Sequence, residues 1–124
     1  MKTPFDPRHQ RRGEAVKALF VWGFREQKSH NELSTEVIGH LTQIDSLIKN
    51  SAPQWPLEQI NRIDLAILRL AIYELEMVKT EPVKVIIDEA VELAKEFGGS
   101  SSPSFVNGVL GTIVKKENNH DRSE

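Results

Sequence analysis

Three arginines, Arg8, Arg11 and Arg12, are the side chains whose type and spacing best suit chemistry on a partner. On an α-helix, spacings of three and four put Arg8 on one face with Arg11 and Arg12. Lys17 follows about a turn and a half further on, at the edge of that face. A stripe of fixed positive charge neutralises phosphates, and phosphate contacts supply most of the salt-dependent affinity for nucleic acid. Aromatic residues near such a stripe can stack unpaired bases, each worth ~1–3 kcal/mol. Phe20, Tyr73 and Phe105 are the candidates, and each is also a residue type that fills a core. Periodicity does not separate the two roles.

Charge is distributed unevenly along the chain. The net charge is −2, yet residues 1–30 carry seven basic and three acidic side chains, and the remainder nine basic and fifteen acidic. A basic end on an acidic body points to one face for a polyanion and another for a different partner; a solvated first helix on a dipolar protein is the bland alternative.

Other chemistries find little support. With no cysteine, a disulfide scaffold, a thiolate metal site and a cysteine nucleophile are excluded. His9, His30, His40 and His120 form no HxxxH or HExxH pair, so no metal site is expected. No nucleophile elbow, P-loop or dinucleotide fingerprint occurs. Asp88, Glu89, Glu92 and Glu96 read as the solvated outer face of a helix and not as a catalytic pair. The expectation is a binding protein, with no enzyme activity and no cofactor.

The elements that must position these residues are helical throughout. A chain of 124 residues with 39% hydrophobic and 27% charged residues makes one globular domain. Pro4 and Pro7 mark residues 1–7 as an irregular basic arm, 8–117 as the domain and 118–124 as a polar tail. Ala15, Val16, Leu19 and Phe20 recur at helical spacing and predict a helix from about Arg8 to Gln27. Ser34 is the expected N-cap of a second, running to about Asn50. Trp55 to Ile60 opens the next unit, followed by a helix from Ile63 to Val78 that is apolar nearly all round and should run through the middle. Val83 to Phe97 forms a further helix, stopped by Gly98 and Gly99, and Pro103 or Ser104 opens the last. The result is an all-α domain of five or six helices. No apolar run reaches ~20 residues and Met1–Gln10 has no apolar leader, so no membrane association and a cytoplasmic location are expected.

Several of these segments resemble a known family. LRLAIYEL (68–75), then Pro82, IDEAVELAKEFG (87–98) and FVNGVL (105–110) closely resemble the transcription antitermination factor NusB family. RRGEAVKALFVW (11–22) is similar to that family's arginine-rich first helix. The resemblance implies a compact bundle of five to seven helices, in two small sub-bundles sharing one core. It implies binding of single-stranded boxA-type RNA together with a small-subunit ribosomal protein (NusE), within the RNA polymerase antitermination complex that keeps rRNA operons transcribed. By matching position, Arg8, Arg11, Arg12, Lys17, Phe20, Arg69, Tyr73, Ser101, Ser104 and Phe105 would contact RNA. Asp64 and Glu74 would lie at the ribosomal-protein face. Arg69 has an equal alternative, pairing with a carboxylate inside the domain. The chain departs from the family in a shorter stretch between the first helix and Trp55, in Gly13 within the basic helix, and in Ser101 where an acid is common. The competing readings are an RNA-modification accessory, and a structural or assembly protein acting in ribosome biogenesis or as a homodimer that hides its RNA face.

Overall fold

The structure, a computed structural model, describes residues 6–25 and 31–122. Residues 1–5 of the arm, the expected helix end at Gln27, and His30 lie outside them. The described residues form six α-helices and no strand, as the apolar periodicity predicts.

Helix α1 spans Pro7–Arg25. Proline suits its first position, and Asp6 caps it: the Arg8 amide donates to the Asp6 carboxylate at 2.8 Å. The single helix expected from Ser34 to about Asn50 is two, α2 (Glu32–Ile38) and α3 (Leu41–Ser51). The N-cap of α2 is Asn31, whose side chain accepts from the Ser34 amide at 2.8 Å, while Ser34 itself is buried one turn inside. The chain turns at Gly39 and His40. The turn lets α2 pack on α1 and α4 while α3 packs on α4 and α6. One straight helix would carry a single stripe past only part of that surface.

A 3-10 turn at Leu57–Gln59 precedes α4 (Arg62–Tyr73). Asn61 caps α4 by accepting from the Ile63 amide at 2.9 Å. The predicted helix to Val78 is only partly α-helical: Glu74–Val78 is a π-helical turn, closed by Lys79 in the left-handed region at φ 56°. Such turns concentrate at functional positions. Ala66, Ile67, Leu68, Leu70, Ala71 and Ile72 of α4 are all buried, and α4 touches each of the other five helices. It is therefore the central helix on which the other five pack, while α3 also meets α6 directly.

Helix α5 spans Val83–Phe97 and α6 spans Ser102–Arg122. Gly98 ends α5 at an ordinary negative φ, so the glycine is needed for space: a Cβ there would lie 2.5 Å from the Ser102 hydroxyl oxygen. The last helix opens at Ser102, one residue before Pro103, because the Ser102 hydroxyl accepts from the Gly99 amide at 3.0 Å. It continues as helix through the start of the expected polar tail.

Candidate nucleic-acid interface

The positive stripe of α1 does not face one way. Arg12 points inward. Its Nε and Nη2 each lie 2.8 Å from a different oxygen of Glu74, a bidentate pair, and Nη2 also donates to Glu81. Glu89 stands 3.9 Å away. Burial works against the guanidinium charge, and the bonds to Glu74 and Glu81 outweigh it, holding Arg12 more firmly protonated than usual. Arg12 is 9% exposed, so no phosphate reaches it without displacing these carboxylates.

Arg8 and Arg11 point outward. The Arg8 side chain is 74% exposed and stands only at the margin of Asp6 and Glu81, at 3.6 and 3.7 Å. Arg11 is exposed, and no carboxylate among the described residues pairs with it. Both line a cleft of about 190 Å³ walled by Tyr73, Glu36, Thr80 and Glu81. The Tyr73 hydroxyl donates to Glu36 at 3.0 Å, and its ring rests against His40 with centroids 5.5 Å apart. Burial and the Glu36 carboxylate raise the phenol above its ordinary range. The ring is 8% exposed, so little of it is open to a stacking base.

Lys17 is exposed on the other flank of α1. It pairs with Glu14 at 3.7 Å and sits 5.6 Å over the Phe97 ring. These residues, with Gly13, line a groove of about 490 Å³ between α1 and α5, which Arg11 also borders. Arg11 thus stands on the ridge between cleft and groove.

The remaining expected contacts lie elsewhere. Phe20 packs against the core and meets Phe24 edge-on at 5.0 Å. Arg69 takes the intramolecular alternative: two 3.0 Å bonds tie it to Asp45, below Trp22. Ser101 and Ser104 are exposed at the start of α6, and half-buried Phe105 meets Trp55 edge-on at 6.3 Å. Asp64 is buried with 6% exposure; burial pushes its carboxyl above the ordinary range, and the nearby Ser102 hydroxyl opposes that rise. Its Oδ1 has no partner among the described residues. Asp64 and Tyr73 are nine residues apart on α4, so the two groups of candidates are separated by ~14 Å of helix. Glu74 is held by Arg12, so neither expected acid of the ribosomal-protein face presents a free carboxylate.

Four residues that matter here were not singled out from the sequence as binding or positioning groups. Trp55 is 46% exposed beside Phe105. His9 bridges Glu89 and Glu96, with Nδ1 3.0 Å from Glu89 and Nε2 2.8 Å from Glu96. Glu81 completes the Arg12 pair. Glu89 belongs to the buried stripe and not to the outer face of α5, at 4% exposure; its position three residues after Ile86 and four before Leu93 carries that signal.

The description "NusB family" matches residues 24–115. The transcription antitermination protein NusB of Chloroflexus aggregans is 49% identical over 79 residues, covering 62% of this chain and 53% of that protein. The chain thus spans about half the length of that relative. A T. maritima NusB structure superposes with a TM-score of 0.80 at 34% identity, over 93% of each chain. A crystal structure of antitermination factors NusB and NusE in complex with dsRNA shares the fold, with a TM-score of 0.76 at 22% identity over 90% of this chain and 99% of that one. With residues 24–115 matched to the family and the whole helical order superposing on a NusB structure, this chain belongs to the NusB family.

Proposed function

We propose that this protein is a cytoplasmic transcription antitermination factor, without catalytic activity, that binds single-stranded boxA-type RNA together with the small-subunit ribosomal protein NusE. The observation that carries this reading is the pair Arg8 and Arg11, outward-facing at the mouth of a cleft while Arg12 anchors their helix from behind. Two such cations take phosphates, and the hydroxyls and aromatic edges around them suit the splayed bases of a single strand better than a duplex groove. Lys17 extends the positive track along α1. Ser101, Ser104 and Phe105 form a second contact region at the other end of α4. Asp64 and Glu74 act from behind the surface, through Ser102 and Arg12. On the outer face of α5, Asp88 and Glu92 are about half exposed and each stands beside a lysine, Lys84 and Lys95, so a basic ribosomal protein would meet these acids by replacing those lysines with its own cations.

Fluorescence anisotropy of a labelled boxA-type RNA, with and without NusE and across a salt series, tests this. The expected result is tighter, sequence-specific binding with the ribosomal protein present. Replacing Arg8 and Arg11 together with alanine should lower affinity and reduce the salt slope by about 1–2 units. No sequence-specific binding under either condition would overturn the reading.

A further inference from the structure

His9 lies between the two outward-facing arginines in sequence, yet its ring points the other way, into α5. Both ring nitrogens face carboxylates, Glu89 at 3.0 Å and Glu96 at 2.8 Å. A neutral imidazole carries one N–H and would set a lone pair against one of these carboxylates; only the imidazolium donates to both. The ring is 16% exposed, Glu89 5% and Glu96 49%, so the contact is sheltered on its inner side and open on its outer one.

We propose that protonated His9 is a positioning residue: it clamps the first turns of α1 onto α5, and so fixes where Arg8 and Arg11 stand toward RNA. The clamp rests on the RNA reading above for its consequence, but not for its existence. The carboxylates around it favour the doubly protonated ring, and Arg12 opposes it. Glu89 and Glu96 contact it from α5. Asp6 caps the same turn through backbone amides. Arg12 opposes weakly, since its own charge is matched by Glu74 and Glu81. Glu92 and Lys95 pair with each other on the outer face of α5. The Glu89 bond first, and the Glu96 bond after it, raise the ring above the ordinary value of 6.5 against the opposing effect of burial. A folded-state value raised in this way adds stability that is fully present below the unfolded value and is lost as pH rises through the folded one. The window therefore opens at the ordinary value of 6.5 and extends above it.

The test joins ring-nitrogen NMR of His9, amide exchange of Gln10 to Arg12, and RNA anisotropy, each followed from about pH 6 to 9. Expected are an imidazolium that persists above the ordinary histidine range, exchange that quickens as the ring loses its proton, and RNA affinity that falls about fivefold over the same interval, the low end of coupling between two sites. Glu96→Gln discriminates clamp from bare charge. Removing a negative charge near the arginines would by itself tighten RNA binding, whereas loosening the clamp weakens it, lowers the His9 titration and speeds exchange at neutral pH. A His9 that titrates at or below 6.5, or exchange that ignores its titration, overturns the proposal. Absence of RNA binding at every pH overturns the functional reading instead, and the ring titration and exchange still decide the clamp.

Discussion

At the Tyr73 end of α4, Glu74, Glu81, Glu89 and Glu96 meet two cations from α1, Arg12 and His9. At the Asp64 end, a single buried carboxylate has no charged partner among the described residues, and the neighbouring Ser102 hydroxyl accepts from the Gly99 amide. The first end is tied together by charge and the second by neutral donors and packing. The contrast teaches that a count of basic residues does not measure available positive charge. One arginine in three of the α1 cluster is engaged inside the molecule, and it is this engagement that gives the other two a fixed base. On the proposed RNA reading, the uncharged Ser101, Ser104 and Phe105 at the α6 end would read bases through hydroxyls and an aromatic ring and contribute little to salt dependence.

The largest expected effect is at the charged end. Arg12→Ala leaves Glu74, Glu81 and Glu89 facing a site without its cation, and breaking a largely buried ion pair from one side costs about 3–5 kcal/mol. Urea denaturation measures it. A loss no greater than that of Arg8→Ala, whose side chain is mostly in water, would mean that solvent screens the network and the two ends do not differ in kind. At the neutral end, Ser102→Ala removes the acceptor of the Gly99 amide and the hydroxyl that stands near Asp64. It should lower stability by about 1–3 kcal/mol. The same denaturation series ranks the two variants, and a reversed order would contradict the assignment of charge to one end.

The smallest effect has the opposite sign. Gly13 lies in the interior of α1, where glycine costs about 1 kcal/mol relative to alanine. A Cβ there would meet the Phe97 ring at 3.6 Å, an ordinary contact, so Gly13→Ala should raise stability by up to about 1 kcal/mol. A lower melting temperature in the variant would show that the α1–α5 contact beside the His9 clamp has no room for a methyl group.

Much of the fold was legible because apolar stripes are local. Val83 to Phe97 and the central α4 follow directly from spacing. The division of α2 from α3 was not legible, because Val37 and Ile38 continue naturally into Leu41 and Ile44 on a helical wheel; only the separate surfaces they must reach force the turn at Gly39. Part of the inward placement of Arg12 was present in its spacing. It lies three and four residues before Ala15 and Val16, on the stripe that buries them, just as Glu89 lies on the stripe of Ile86 and Leu93. Two opposite charges on two buried stripes are a hint of a pair, but spacing within each helix does not say that the two stripes meet.

The sequence by itself determined the helical class, the order of the apolar stripes and the basic character of the first helix, because backbone hydrogen bonding and apolar periodicity act over three or four residues. Tertiary structure alone decided which charges remain for a partner. Arg12 finds Glu74 across 62 positions and His9 finds Glu89 across 80. Coulomb attraction and desolvation depend on distance through space and on what excludes water, and neither quantity exists until the helices have packed.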